Sequence, residues 1–253
     1  CNFSYRRMKI INASWDENIT GLKTCEITFE KNDTFKAYLD AGIEKDYRFS
    51  VVKVPAGDLQ LVHQFEETGY RYLENQFRIS FDNRQLDTLN QSWTNLLKGF
   101  TCKQVSTPGE LDLIIREVEG NMFRTDRFSL DPLFSGSDIP SKRYVNWIEE
   151  LYKKGETQFY TIARHAAVAG FFTLRQESKN VCSCPIAGIY PGYKSAGYIF
   201  VLTWFWLQKS RELGTNKLIT SISSNNRNIL SSLSKVFSFR IDEIKVVMRK
   251  VNG

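Results

Sequence analysis

A chain of 253 residues with 42% hydrophobic and 25% charged content can bury one large or two modest cores, which excludes overall disorder. Its net charge of +6 comes from dispersed lysines and arginines, so no nucleic-acid partner is expected, while a basic surface suits an anionic small molecule. The longest apolar run, Tyr198 to Leu207, is about half of the ~20 residues that span a bilayer, and Gln208, Lys209 and Arg211 follow it, so no membrane partner is expected.

Apolar alternation predicts a strand over Lys23 to Phe29, and a polar Asn32-Asp33 start predicts a helix over Asp33 to Ile43. Tyr47 to Val54 reads as a buried strand, Pro55 to Asp58 as a turn that supplies an N-cap aspartate, and Leu59 to Thr68 as a helix closed by Gly69. Tyr70 to Phe81 reads as a long strand. Leu86, Leu89, Trp93, Leu96 and Leu97 fall at spacings of three and four, which predicts one amphipathic helix over Asn83 to Phe100. Thr101 to Gly109 then reads as a polar connector, and the expected domains are 1–105 and 106–253, both α/β.

Beyond the connector, helices are predicted over Glu110 to Glu119 and Ser141 to Lys153, the second capped by Ser141, with an irregular stretch from Arg124 to Asp138 between them. Phe159 to Arg164 and Val168 to Arg175 flank a short His165-Ala166-Ala167 turn and read as a hairpin, followed by a third strand over Val181 to Tyr190. A helix from about Tyr198 ends at Leu213-Gly214; Lys217 to Ser223 is a strand, Asn226 to Val236 a short helix, and Ile244 to Lys250 the closing strand.

Five cysteines and two histidines, with Cys182 and Cys184 separated by one residue where a zinc ribbon needs two to four, predict reduced thiols and no metal site. Cys1 to Arg7 contains no apolar stretch of secretory-signal length, and cytoplasm is the expected compartment.

The chemistry concentrates in the second half. Ala169-Gly170-Phe171 sits in the hairpin; Ile189-Tyr190-Pro191-Gly192-Tyr193-Lys194-Ser195-Ala196-Gly197 joins the third strand to its helix; Ser223-Ser224-Asn225-Asn226 opens the next helix; and Ser238-Phe239 precedes the last strand. This order of elements and motifs resembles the GNAT acetyltransferase superfamily. The loop is similar to the family's pyrophosphate loop, in which successive backbone N–H groups and the positive end of a helix receive the cofactor phosphates. The resemblance implies an acetyl-CoA site at Ile189, Tyr190, Lys194, Ser195, Ala196, Gly197, Tyr198, Ile199 and Asn226. It departs at Ile199, flanked by Tyr198 and Phe200, where the family has a small residue. Taken alone, the loop reads equally well as an ordinary strand-to-helix turn.

Trp15 to Gly21, Tyr47 to Tyr72 and Asp126-Arg127-Phe128 through Asp131-Pro132 resemble bacterial sugar-nucleotide N-acetyltransferases of the TDP-fucosamine type, whose N-terminal domain is an incomplete GNAT-like α/β unit. That resemblance implies a small-molecule amine as acceptor, with an amino sugar carried on a nucleotide among the candidates, Arg124 and Arg127 as the nucleotide contacts, and a homodimer as one expected assembly. Acetyl transfer to an amine needs a neutral amine, a polarised thioester and a proton returned to the thiolate. In the family a strand N–H near Ile189 and Tyr190 supplies the polarisation and a helical tyrosine returns the proton. Here Leu233 or Ser234 stands in that tyrosine's place, and Ser234 is the catalytic candidate left. Tyr190, Tyr193 and Tyr198 near the loop read as packing or rim aromatics ahead of substitute proton donors, and His165 and Glu177 as solvated loop residues ahead of bases. The alternative function is a GNAT-like binding or structural protein without catalysis.

Overall fold

The computed structural model describes residues 8–120, 122–194, 196–235 and 237–252. Its first half runs β1 (Lys9–Asn12), α1 (Ser14–Thr20), β2 (Thr24–Thr28), α2 (Phe35–Ala41), β3 (Phe49–Pro55), α3 (Leu59–Glu67), β4 (Arg71–Asp82), α4 (Gln91–Leu96) and β5 (Phe100–Gln104). Helix α3 starts where the Asp58 carboxylate accepts from Leu61 N at 3.0 Å, and the chain leaves it through Gly69 at φ +92°. The second half runs α5 (Pro108–Glu119), α6 (Arg127–Leu130), α7 (Ile139–Lys154), β6 (Gln158–Arg164), β7 (Ala167–Ser178), β8 (Val181–Ser183), β9 (Ala187–Ile189), α8 (Ala196–Glu212), β10 (Lys217–Ser223), α9 (Arg227–Ser234) and β11 (Phe239–Val251).

Four expectations are corrected. The helix over Asn83 to Phe100 is a 3-10 turn (Asn83–Thr88) followed by α4, because Asp82 and Asn90 each cap a separate start and Leu89 is extended. The connector contains β5, whose polar residues suit an edge strand paired on one side only, with β6. Helix α7 begins at Ile139 with Pro140 in its first turn, so Ser141 lies inside the helix rather than at its cap. The third strand is split into β8 and β9 around Pro185, which has no N–H to continue a ladder.

The strand order is β1-β2-β3-β11-β4-β10-β8-β7-β6-β5, with β9 paired to β7. Strand β11 therefore lies between β3 and β4 of the first half, and β10 on the far side of β4, so the two halves of the sequence interleave in one sheet. Alternating side chains serve opposite faces. On one face Phe159 and Phe171 pack with Ile114 and Val118 of α5 and Ile148 of α7. On the other, Tyr160 and Phe172 pack with Val201, Leu202 and Leu207 of α8. Further along, Phe49 and Val51 meet Phe128 and Phe134 on the first face, while Val52 and Val54 meet Leu61 and Phe65 on the second. Each fully buried phenylalanine contributes about 1.5–3 kcal/mol relative to exposure.

Ion pairs tie the helices and strands of the first face to one another. Glu26 on β2 binds Lys53 at 2.6 Å and Arg127 at 2.9 Å, Asp16 binds Arg143 at 2.7 Å, and Asp131 binds Arg249 at 2.8 Å. Burial opposes the charge on Glu26, but Lys53 and Arg127 together hold its carboxyl well below the usual range. Among the described residues, no helix is long and apolar enough to cross a membrane, and no group of three or more His, Cys, Asp or Glu side chains could hold a metal ion.

Candidate functional site

Strands β8 and β10 run parallel only over Val181–Ser183 and Lys217–Ile219, extended at Cys184 by bonds from Cys184 N to Ile219 O and from Thr220 Oγ1 to Cys184 O, each at 2.9 Å. After Pro185, β9 pairs with β7 instead, and the rest of β10 pairs only with β4. The two strands thus diverge into a V-shaped cleft with β9 on one limb and Thr220 to Ser223 on the other. Tyr190 N donates to Ala169 O at 2.8 Å. Alternation along an antiparallel ladder then makes Gly170–Ile189 a non-bonded pair, so the Ile189 N–H points away from β7 and into the cleft. Gly170 is required on the β7 side: a Cβ there would stand 2.5 Å from Gly188 O.

Beyond β9 the chain makes a 3-10 turn over Pro191–Tyr193 and enters α8 at Ala196, two residues earlier than the sequence pattern places it. Gly197, Tyr198 and Ile199 lie in the first turn of a 17-residue helix, where backbone N–H groups have no intrahelical acceptor. Open space surrounds the position a Gly197 Cβ would take. Ser195 lies outside the described residues. The departure at Ile199 packs against the α8 core cluster, and its bulky neighbours are engaged too: Tyr198 meets Phe100 edge-on with ring centroids 5.2 Å apart, and Phe200 stacks on Phe237 of the α9–β11 link at 5.5 Å. Lys194 donates from Nζ to Met122 O at 3.2 Å, which ties this loop to the segment after α5.

Other predicted residues are scattered. Asn226 precedes α9 without a side-chain capping bond. Ser234 is exposed and donates to Ser231 O at 3.0 Å, so its hydroxyl is not directed at the cleft; Leu233 is the inward position, 2% exposed and packed with the α8 cluster. Arg127 is 8% exposed and committed to Glu26, which gives it a structural role in place of the expected nucleotide contact; Arg124 is exposed. Tyr190 is buried among α5 and α7 residues, its hydroxyl has no hydrogen-bond partner among the described residues, and burial raises its pKa. His165 occupies the β6–β7 turn at φ +48°, and Glu177 is engaged by Arg175 and Ser183, so neither faces the cleft.

Two residues that the sequence reading missed, Glu74 and Tyr144, sit on the first face of the sheet beside the motif residue Ser223. Glu74 on β4 is 4% exposed and accepts a short hydrogen bond from Ser223 Oγ, at the end of β10. Tyr144 of α7 lies within electrostatic range of Glu74, and its ring stacks near Phe123 at 4.3 Å. The available signal was a glutamate inside a strand of aromatic and apolar residues, where a buried charge calls for a reason.

No family model matches the sequence, and no curated protein matches it. Solved structures do match the fold. A GCN5-related N-acetyltransferase from Sphaerobacter thermophilus superposes with a TM-score of 0.61 at 11% identity, covering 96% of this chain and 75% of that one. One from Kribbella flavida gives 0.56 at 11% identity, covering 91% and 82%. A tandem GNAT protein from the clavulanic acid biosynthesis pathway gives 0.54 at 12% identity, covering 91% and 75%. With its diverging β9 and β10 and a helix entering beside them, this chain has the fold of the GCN5-related N-acetyltransferases.

Proposed function

We propose that the protein transfers an acetyl group from acetyl-CoA to a small primary amine. The observation that carries this reading is the cleft itself: β9 and β10 part at Pro185, the Ile189 N–H points into the gap, and the N-terminus of α8 opens beside it. The groups present fit the cofactor. Gly197 to Ile199 offer backbone N–H donors to a pyrophosphate, and Lys194, released from Met122 O, supplies a cation. When bound, acetyl-CoA supplies the activated acyl carbon; the Ile189 N–H polarises its carbonyl oxygen. An amino sugar carried on a nucleotide is the acceptor class that the sequence resemblance favours, and the exposed Arg124 is the remaining candidate for its phosphates.

One observation favours the non-catalytic alternative: α9 reads Arg227 to Ser234 without a tyrosine, and Leu233 fills the inward position with an apolar side chain. The test is CoA-thiol release from acetyl-CoA with a panel of nucleotide-linked amino sugars, free amino sugars and polyamines, with products identified by mass spectrometry. The catalytic reading predicts thiol release matched by an N-acetylated product for at least one amine. Binding of acetyl-CoA with no release above solvent hydrolysis for any amine would leave the binding-protein reading.

A further inference from the structure

We propose that Glu74 and Ser223 form the acceptor-amine site, binding a primary ammonium group and taking its proton; the chemical role rests on the acetyl-transfer reading above. Glu74 comes from β4, in the half of the sequence that carries none of the cofactor motifs. It is held at the open end of the cleft by the pairing of β4 with the end of β10: Ser224 N donates to Asn75 O at 2.8 Å, and Asn75 N donates to Ser224 Oγ at 3.1 Å.

A carboxylate 4% exposed is costly unless its oxygens are satisfied. Oε2 of Glu74 accepts from Ser223, while Oε1 has no hydrogen-bond partner among the described residues. Arg127 lies in electrostatic range, but its guanidinium is bound to Glu26. One acceptor oxygen is therefore available for a donor the protein itself does not provide. Phe123 and Tyr144 lie between this position and the other limb. Phe123 Cε1 stands 3.3 Å from where a Cβ on Gly188 would lie, Phe123 stacks near Tyr144, and Tyr144 lies in electrostatic range of Glu74. Met122 covers Gly188 beside them, and its flexible thioether is the side chain that yields to an incoming acceptor. A buried carboxylate with an available oxygen, near the aromatic rings of Phe123 and Tyr144, suits a cationic headgroup on an apolar stem.

The chemistry balances. The ammonium gives one proton to Glu74, and the neutral nitrogen forms a bond to the thioester carbonyl carbon. The C–S bond breaks, the thiolate takes the second proton shed by nitrogen, and Glu74 returns its proton to solvent. The products are the amide, CoA thiol and one released proton.

The experiment titrates n-butylammonium chloride into wild type, Glu74→Gln and Ser223→Ala by calorimetry, with acetyl-CoA titrated separately into all three. Saturable n-butylammonium binding in wild type, weakened at least tenfold in Glu74→Gln and less in Ser223→Ala, with acetyl-CoA affinity unchanged, supports the assignment. Equal n-butylammonium affinity in wild type and both variants, or none in wild type, overturns it. Failure of wild type to bind acetyl-CoA overturns the acetyl-transfer reading instead, and the ammonium titration still decides the site. The isosteric Glu74→Gln and the smaller Ser223→Ala are each checked for an unchanged melting profile.

Discussion

Replacing Gly170 with alanine probes the limb of the cleft that β9 forms. The new Cβ would meet Gly188 O at 2.5 Å and Ile189 Cα at 3.2 Å. Comfortable carbon–oxygen contact begins near about 3.3 Å, so β9 must retreat by roughly 0.8 Å. Overpacking of this kind costs about 1–3 kcal/mol. The retreat also strains the bond from Tyr190 N to Ala169 O, whose loss is worth about 1 kcal/mol. A total near 3 kcal/mol lowers the melting temperature of a chain this size by roughly 6–12 °C. Differential scanning calorimetry reads the shift, and an acetyl-CoA titration of the folded variant should show weakened binding because the Ile189 N–H moves with β9. A melting temperature within ~2 °C of wild type, with unchanged acetyl-CoA affinity, would refute the β7–β9 register and the cleft built on it.

Gly197→Val meets open space, so the fold should hold while acetyl-CoA binding weakens by at least ~1 kcal/mol through lost backbone approach; calorimetry on the folded variant checks it. Leu233→Tyr restores a phenol at the inward position of α9 and should raise turnover by a factor within the ~10²–10⁴ that general acid catalysis supplies, whereas Ser234→Tyr, on the exposed side, should leave it unchanged; thiol-release rates compare the two. Glu26 is held ionised in the fold, so its contribution to stability is present above the unfolded carboxyl pKa of ~4.3 and fades as pH falls further; Glu26→Gln should lose about 3–5 kcal/mol at neutral pH by leaving Lys53 and Arg127 buried without it, and should flatten the acid limb of urea-unfolding stability below about pH 4.5. Ala166→Gly relieves a left-handed residue at φ +70° and should raise the melting temperature by roughly 2–4 °C, the equivalent of ~1 kcal/mol.

Elements whose pattern repeats locally were legible in the residues. The buried run of β3, the long strand β4, the Asp58 cap and the Lys217–Ser223 strand stand where the sequence places them. The order of elements after residue 106 and the loop from Ile189 to Ile199 carried the fold. The failures share a cause: a side chain's partner is set by topology, which local pattern does not contain. Arg127 looked like an anion contact until pairing of β2 and β3 placed Glu26 against it. Thr101 to Gln104 looked like a connector because a polar edge strand and a loop have similar composition. Glu74 could be tied to the site only once β10 was seen beside β4, bringing residues 149 positions apart into contact. Ser234 and Leu233 could not be told apart until the register of α9 turned one outward and the other toward α8.

The central claim is that the cleft between β9 and β10, with the N-terminus of α8, holds acetyl-CoA. Thermal unfolding in increasing acetyl-CoA tests it most directly, with ADP and duplex DNA as controls. The account predicts a stabilisation that grows with the logarithm of acetyl-CoA concentration, reaches about 2.7 kcal/mol at a hundredfold excess over Kd, roughly 5–10 °C, and is smaller in Gly197→Val. No shift at millimolar acetyl-CoA, or an equal shift with DNA, would contradict it.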